Sequence, residues 1–414
     1  MSFKLALVSD LHIGYASTRV VDEQKINLRV GDGYRALAEV ITGIIESGAD
    51  AVVVPGDTFH VPEPKIRDIV YAQNQFRRFY EAGIPVYILA GNHDALDIAS
   101  EIAASRVLHD PLRKLYSHVE PYVEYEIADG INLHMVSHHL YNDQADTFKS
   151  VKPHEGTINI FATHGSVIDP LLQMKLHTEQ SPREVVIPNT LLTEKGWSYN
   201  LLGHIHERGW VGSSDKKTDT SGTRTFYSGS TLRRGFSDKQ VPLGKGWTLW
   251  TIDPDGTFTP EFHNITQRPQ DDFKIIDAAN LTADDVTDLM IRNLKKSHGY
   301  GEGMDFKSAP ILRQRVMNLA PSKHQSLDWK SIHANTGHAM LWSFKATTAE
   351  EAAAEGETEI RNPNAENADI VRVFEDWVSK SDAMTRVSDD RKDLVIDSSR
   401  KLIETARDGV LEDA

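Results

Sequence analysis

The sequence contains no cysteine among its 414 residues. Disulfide bonds, thiolate metal sites and thiol nucleophiles are therefore excluded. Long apolar runs are also missing, since the longest ones, such as 51–55 and 86–90, fall far short of the ~20 residues that a membrane-spanning helix needs. The first residues enter a strand-like segment without a small-residue cleavage site, so we expect no signal peptide. These features favour a protein of the cytoplasm that does not bind a membrane.

Basic residues are scarce relative to acidic ones. The chain has 45 Lys and Arg against 60 Asp and Glu, which gives a net charge of −15. Much of the excess lies in residues 346–414, which carry 18 acidic and 9 basic residues. A protein that binds nucleic acid through its overall charge has more basic than acidic residues. We therefore expect any nucleic acid to be held by local basic patches, by metals or with the help of a partner.

The first 118 residues alternate between strand and helix patterns. Apolar segments at 3–8, 51–55 and 85–89 predict buried strands, whereas apolar residues at helical spacing predict helices over 34–47 and 66–82. We expect the apolar faces of both helices to lie in the core. This order predicts parallel strands joined by crossover helices.

The pattern becomes rich in strands after about residue 118. The predicted strands are 123–127, 131–136, 158–163, 199–202, 224–227 and 247–252. Because loops join most of them, we expect a second, more antiparallel sheet packed against the first. The interpretation for residues 1–267 is thus an α/β domain.

The chain changes again near residue 268. A strand at 273–276, a helix at 282–296 and strands within 310–319 and 339–345 predict a small α+β domain over 268–345. Residues 346–368 have an acidic linker composition. Residues 369–414 predict two short helices with little core of their own, so we expect this tail to dock on a partner.

Five short polar clusters follow predicted strands. They are Asp10-Leu11-His12, Gly56-Asp57, Gly91-Asn92-His93-Asp94, His164-Gly165 and Gly203-His204-Ile205-His206. Each stands at the C-terminal end of a strand or in the loop after it, where the loops of an open sheet converge on a ligand. We therefore expect the clusters to form one site.

The side chains of these clusters are metal ligands by type. Leaving His93 aside, two Asp, one Asn and four His suit Mn²⁺, Fe, Zn²⁺ or Co²⁺ better than Ca²⁺ or Mg²⁺. Seven ligands suffice for two ions if one carboxylate bridges. Two such ions can activate water and stabilise charge on a phosphoryl oxygen. Four other histidines are expected to be ordinary surface or core residues: His118, His134, His154 and His177.

As an ordered set, the clusters resemble the signature of the calcineurin-like metallophosphoesterases over residues 1 to about 265. Two further stretches are similar to DNA-repair exonucleases of the SbcD type. One runs from Asp57 to His60, and the other runs from Tyr227 to Asp238, with Ser228 where proline is usual. The resemblance implies a four-layer α/β/β/α sandwich of two mixed sheets, a small α+β capping domain and a helical C-terminal tail.

The resemblance also implies roles for the ligands. The first metal would be held by Asp10, His12 and His206. The second metal would be held by Asn92, His164 and His204. Asp57 would bridge the two ions, for which Mn²⁺ is the expected metal.

Three further residues would act on the substrate if the resemblance holds. His93 would stand over the phosphate and protonate the departing oxygen. Asp94 would orient the ring of His93, and His60 would steer either the substrate strand or His93.

The implied activity is hydrolysis of DNA in double-strand break repair or recombination, as an exonuclease and further as an endonuclease. The implied partners are a second copy, through helices at 66–82 and 98–107, and an SbcC-like coiled-coil ATPase, through the tail near Phe374 and Trp377. One alternative is a phosphatase or cyclic-nucleotide phosphodiesterase with the same metal site. The other is an inactive scaffold that binds DNA ends, although such a subunit should have lost ligands and every ligand position is filled.

Overall fold

The computed structural model describes residues 2–94, 103–137, 150–168, 186–213, 216–236, 243–305 and 307–347. All of these residues belong to one unit, Met1–Thr358. The predicted tail at 369–414, and all but two residues of the predicted linker, lie outside the described residues. No described helix combines the length and the apolar character that crossing a membrane requires.

The described chain contains strands throughout and helices mainly in its first and last thirds. In chain order the strands are β1 (Phe3–Leu7), β2 (Ala51–Pro55), β3 (Val86–Leu89), β4 (Leu115–His118), β5 (Tyr122–Ala128), β6 (Ile131–Val136), β7 (Ile158–His164), β8 (Ser166–Ile168), β9 (Val186–Pro188), β10 (Tyr199–Gly203), β11 (Gly209–Trp210), β12 (Thr225–Tyr227), β13 (Gly246–Ile252), β14 (Phe258–Asn264), β15 (Gln270–Asp272), β16 (Ile276–Asp277), β17 (Ile311–Met317) and β18 (Leu341–Thr347). The helices are α1 (Leu28–Glu46), α2 (Ile66–Glu81), α3 (Asn189–Thr193), α4 (Ala283–Leu294), α5 (Pro321–Gln325) and α6 (Trp329–Ala334), with 3₁₀ helices at Ala104–Leu108 and Pro111–Arg113.

Two six-stranded sheets form the body of the fold. The first has the order β14-β13-β1-β2-β3-β4 and the second has the order β11-β12-β10-β7-β6-β5. In the first sheet β1 to β4 are parallel, and β13 and β14 at one end are antiparallel to their neighbours. In the second sheet the inner pairs are parallel and an antiparallel pair lies at each end. Two details of the prediction were wrong: the second sheet is no more antiparallel than the first, and the strand at 247–252 joins the first sheet beside β1.

Alternating side chains of the central strands divide the core into layers. Leu5 and Leu7 of β1 face the second sheet, whereas Ala6 and Val8 face α1 and α2. This alternation is the period of two that a strand imposes. Within the described residues, α3 and nearby loops cover the outer face of the second sheet. The predicted α/β architecture of two mixed sheets with helices is confirmed.

The two long helices differ in part from their predicted form. Helix α1 begins six residues earlier than expected, because the Asn27 side chain caps it by accepting from the backbone of Arg29 and Val30. On α2, Phe76 and Phe79 are buried as predicted. Ile66 and Val70 were expected in the core, but they are 79% and 49% exposed.

Residues 270–347 contain a separate four-stranded parallel sheet with its own apolar cluster against α4 and α6. The predicted strand at 273–276 is misplaced, because β15 and β16 flank most of that segment and both pair with β17. The assignment of 268–345 as a capping domain stays a prediction.

Candidate metal centre

The five polar clusters meet where the inner strands of both sheets end. Asp10, Asp57 and Asn92 follow β1, β2 and β3 of the first sheet, while His164 ends β7 and His204 follows β10 of the second. The backbone N–H of His204 donates to both oxygens of Asp10, at 3.1 and 3.2 Å. Side chains from two sheets thus share one site.

Several of these residues have a backbone that L-amino acids rarely adopt. The φ angles of Asp10, His12, Asp57 and His204 are 52°, 44°, 54° and 98°. Each such conformation costs on the order of 1–3 kcal/mol and persists only where the surrounding fold enforces it. Clustering at one place marks a site whose side chains are held in position.

Glycines allow the loops to approach each other closely. A methyl group at Gly91 would overlap the carboxylate and backbone nitrogen of Asp57, and one at Gly203 would overlap the Pro55 carbonyl. Gly56, with φ of 92°, lies against the His164 ring. The Gly-Asp and Gly-Asn pairs of the sequence therefore reflect close contact between strand ends as well as turns.

Asp10, His12 and His206 form the first group of ligand atoms. The two Nε2 atoms of His12 and His206 lie 3.1 Å apart, and the His206 Nε2 lies 3.7 Å from Asp10 Oδ1. Asp10 and His12 are almost fully buried, at 1% and 2% exposure. Two imidazole nitrogens and a carboxylate oxygen that converge in this way fit one divalent cation.

Asn92, His164 and His204 form the second group. Asn92 Oδ1 lies 2.9 Å from His164 Nε2 and 3.2 Å from His204 Nδ1. His164 Nδ1 lies 2.9 Å from the Pro55 carbonyl, to which it donates. That bond directs the lone pair of Nε2 into the site, as the outer hydrogen bond of a metal-bound histidine does.

Asp57 lies between the two groups. Its Oδ2 is 3.5 Å from His12 Nε2 and 3.4 Å from His164 Nε2. Its Oδ1 accepts the backbone N–H of His93 at 2.9 Å. The burial of Asp57 acts to raise its pKa, but His164 and His12 outweigh it and hold the pKa well below the usual range. A buried carboxylate placed between two ligand groups fits a bridging role.

His93 and His60 lie beside the first group. The Nδ1 of His93 is 2.8 Å from the backbone carbonyl of His60, and the two rings stack at 5.2 Å. The His93 ring also stands 4.7 Å from that of His12. Burial, with His93 and Arg234 nearby, lowers the pKa of His60 to about 3. His60 therefore remains neutral, and its backbone fixes the His93 ring.

Asp94 occupies a different place from the one expected. Its carboxylate accepts backbone N–H groups from Thr58, Phe59 and Gly91, at 3.0, 2.8 and 3.1 Å. Among the described contacts, none joins this carboxylate to the His93 ring. The prediction that Asp94 orients His93 is therefore wrong in this geometry. Asp94 instead ties the loop after β2 to the loop after β3.

Two basic residues at the site were not predicted as site residues. Arg234 Nη2 lies 2.8 and 3.0 Å from the ring nitrogens of His206. Lys245 Nζ donates to the His206 carbonyl at 2.8 Å. Arg234 falls within the stretch Tyr227–Asp238, which carried a resemblance in the sequence, so that stretch was the available signal.

The comparisons with known proteins agree with this geometry. The family model for the calcineurin-like phosphoesterases matches residues 3–214. The chain belongs to that family, whose members use divalent metals. All seven predicted ligands lie within the matched residues.

Related proteins include archaeal ones named DNA double-strand break repair protein Mre11. The chain is 25% identical to the Sulfolobus acidocaldarius protein over 206 residues, which is 50% of each chain. It is 24% identical to the Saccharolobus solfataricus protein over 278 residues, which is 64% of each. The chain thus spans between half and two-thirds of these relatives. The predicted similarity to the SbcD-like nuclease family is confirmed at modest identity.

Among solved structures, a dimetal phosphatase from Danio rerio aligns with 61% of this chain and 93% of its own length. The identity is 10% and the TM-score is 0.34. A likeness at this level adds nothing to the assignment.

Proposed function

We propose that this chain is a two-metal phosphodiesterase that hydrolyses DNA during double-strand break repair or recombination. The observation that carries the proposal is the convergence of seven ligand side chains from five strand ends, in two groups with Asp57 between them. The similarity to proteins named for double-strand break repair supports DNA as the substrate.

The ligand assignment follows the two groups. Asp10, His12 and His206 would hold one ion, Asn92, His164 and His204 the other, and Asp57 would touch both. When bound, two divalent ions supply a nucleophile at neutral pH and stabilise charge on the phosphoryl oxygens. Imidazole-rich ligation favours Mn²⁺ over Mg²⁺. Burial and Arg234 lower the pKa of His12 well below its usual value, which keeps His12 in the neutral form that binds metal.

His93 would act as the general acid. Its Nδ1 is committed to the His60 carbonyl, so Nε2 is the atom from which a proton can reach a leaving 3′ oxygen. His60 would act on His93 through its backbone and through ring stacking. Asp94 would hold the two loops that carry Asp57 and His93.

The substrate is tested by direct comparison. Purified full-length chain should cleave end-labelled double-stranded DNA with Mn²⁺ and stop on addition of a chelator. A phosphopeptide and cyclic AMP are assayed beside it. Preference for either of these would replace DNA by the corresponding phosphoesterase activity. Metal binding without turnover on any of the three would favour the inactive scaffold.

We propose that exposed apolar residues of α2 serve dimerisation; residues 98–102 of the second predicted helix lie outside the described residues. Ile66 and Val70 are four residues apart on α2, so they lie on one face, and they are 79% and 49% exposed; an exposed apolar patch of this kind supports an interaction surface. Ile66→Glu with Val70→Glu should produce a monomer in sedimentation experiments, whereas Val21→Glu, at a 46% exposed position elsewhere, should not. A dimer that survives the double change would remove the proposal.

We also propose that a coiled-coil ATPase of the SbcC type binds the chain through residues 369–414. The net charge of −15 disfavours DNA binding by this chain alone, which supports a partner that contributes to binding the DNA. An ATPase of this type should be captured by the full chain and not by residues 1–350. Equal capture by both would exclude the tail as the docking segment.

A further inference from the structure

A second group of metal-ligand side chains lies on the outer face of the second sheet, away from the strand ends. It comprises Glu124 of β5, His134 of β6 and His154 before β7, whose ligand atoms all lie within 4.8 Å of one another. Glu124 contacts His154 Nε2 directly and has its other oxygen 3.7 Å from His134 Nδ1. No function considered above uses these residues.

The hydrogen bonds of Asn159 fix the tautomer of His134. Asn159 Nδ2 donates to the carbonyls of His154 and Thr157, at 2.8 and 3.0 Å. Its Oδ1 accepts the His154 backbone N–H and must also accept from His134 Nε2, both at 2.9 Å. The His134 proton therefore sits on Nε2, and Nδ1 presents its lone pair to Glu124.

One hydrogen bond in this group then lacks a proton. The Tyr122 hydroxyl lies 2.6 Å from Glu124 Oε2 and 2.9 Å from His134 Nδ1, but it has one proton for two acceptors. A second proton on His134 would resolve the conflict. Burial lowers the pKa of His134, which is fully shielded from solvent, and so opposes that solution. A cation resolves the conflict without a proton.

We infer that Glu124, His134 and His154 bind one divalent transition ion of the Zn²⁺ type, separate from the metal centre. Two imidazoles and one carboxylate are ligands that Zn²⁺ takes in proteins. The side chains of His154 and Glu124 are 52% and 32% exposed, so an ion can enter and a water can fill the remaining position. The ion would tie the β5–β6 hairpin to the segment that leads into β7.

The spacing along the sheet separates this ion from the metal centre. His134 pairs with Phe161 of β7, three residues before His164. At about 3.3 Å per residue, the two levels are about 10 Å apart along the strand. His134 also shares the outer face of the sheet with Val136. One ion cannot serve both sites.

The test counts bound Zn²⁺ by equilibrium dialysis and elemental analysis of the full chain. His154→Gln should bind one ion fewer than the unaltered protein. His298→Gln is the matched control, because His298 is also an exposed imidazole paired with a carboxylate, that of Asp271. It should bind as many ions as the unaltered protein. Each Zn²⁺ count is compared with that of the unaltered chain, so ions bound at the metal centre contribute equally to both counts. An error in the proposed metal centre would therefore not change the difference between them.

Glu124→Gln provides a second variant in case His154→Gln fails to fold. It should lose the same ion and the same Zn²⁺-induced rise in melting temperature. Equal Zn²⁺ counts in the unaltered chain, His154→Gln and Glu124→Gln would overturn the inference. Loss of an ion in His298→Gln as well would overturn it too, since the effect would then not depend on this site.

Discussion

The two groups of metal-ligand residues differ in how the fold holds them. At the candidate metal centre, four of the predicted ligands have positive φ, glycines lie against predicted ligands, and most of these residues lie in loops beyond strand ends. Glu124 and His134 lie within β5 and β6. Neither they nor His154 has a positive φ. The first group is built at the expense of local strain, which suits a site that must place reacting atoms. In the second group, two neighbouring strands bring Glu124 and His134 together, and the segment before β7 adds His154.

The largest difference between the two groups is expected when Asp57, the residue shared by both halves of the centre, is changed. Asp57→Asn keeps the shape but loses the negative charge between His12 and His164. We expect loss of both Mn²⁺ ions and a fall in DNA cleavage of at least about a thousandfold. Metal content measured beside the rate checks this. Two ions retained per chain would contradict the bridging role.

Removing the proposed proton donor should separate chemistry from metal binding. His93→Gln leaves the seven ligands in place, so we expect Mn²⁺ content to stay at the level of the unaltered protein. Turnover should fall by about a hundredfold or more. Initial rates with matched metal analyses give the result. A parallel loss of ions and rate would show that His93 serves the ligands instead.

Metal uptake at the centre should depend on pH through His164. Burial acts to lower its pKa, but Asp57 and Asp10 raise the pKa to about 9, so the metal-free chain holds a proton there at neutral pH. That proton must leave before the ion binds. Apparent Mn²⁺ affinity should therefore rise by about tenfold per pH unit up to about 9. Calorimetric titrations in buffers of different ionisation enthalpy should show proton release; an affinity that is flat from pH 6 to 9 would oppose this.

Close loop contact predicts a large difference between two glycines. Gly91→Ala places a methyl group on the Asp57 carboxylate, so we expect a loss of about 1–3 kcal/mol in unfolding free energy together with weaker Mn²⁺ binding. Gly33 lies in α1 with open space around it. Gly33→Ala should stabilise the protein by about 0.5–1 kcal/mol. Denaturant unfolding of both variants measures the contrast, and equal effects would refute the packing argument.

The smallest effect is expected at the second group. His154→Gln should leave Mn²⁺-dependent DNA cleavage unchanged, because the side chain is half exposed and lies away from the centre. Without added Zn²⁺, its unfolding free energy should change by less than about 1 kcal/mol. A cleavage assay and a denaturation curve suffice. A marked loss of cleavage would mean that the two sites are coupled.

The fold class could be predicted from the sequence, and the predicted ligand residues converge in the structure, but several local details could not be predicted. Asp10, Asp57 and Asn92 could be found because each directly follows a short apolar strand, a purely local pattern. The early start of α1 was missed because two glycines flank Asp32 in a polar stretch that does not look helical; its carboxylate is buried in ion pairs with Arg29 on the same helix and with Arg268, 236 residues away. The exposure of Ile66 could not be predicted, because apolar residues at helical spacing do not show whether the core or solvent lies against that face.

Some site details also depend on long-range contacts. The Asp94 carboxylate accepts from three backbone amides, which belong to loops after two different strands. Because these contacts are not local, the position of Asp94 next to His93 in the sequence suggested the wrong partner. Likewise, His134 and His154 each resemble an ordinary histidine in the sequence. Only the pairing of β6 with β7, and the hairpin that brings Glu124 beside His134, place them in one group.

Anomalous diffraction at the manganese edge, from crystals grown with Mn²⁺, measures the centre most directly. We predict two peaks, one among Asp10, His12 and His206 and one among Asn92, His164 and His204, with Asp57 in contact with both. A single peak, or peaks that do not touch Asp57, would contradict a two-metal centre bridged by that residue.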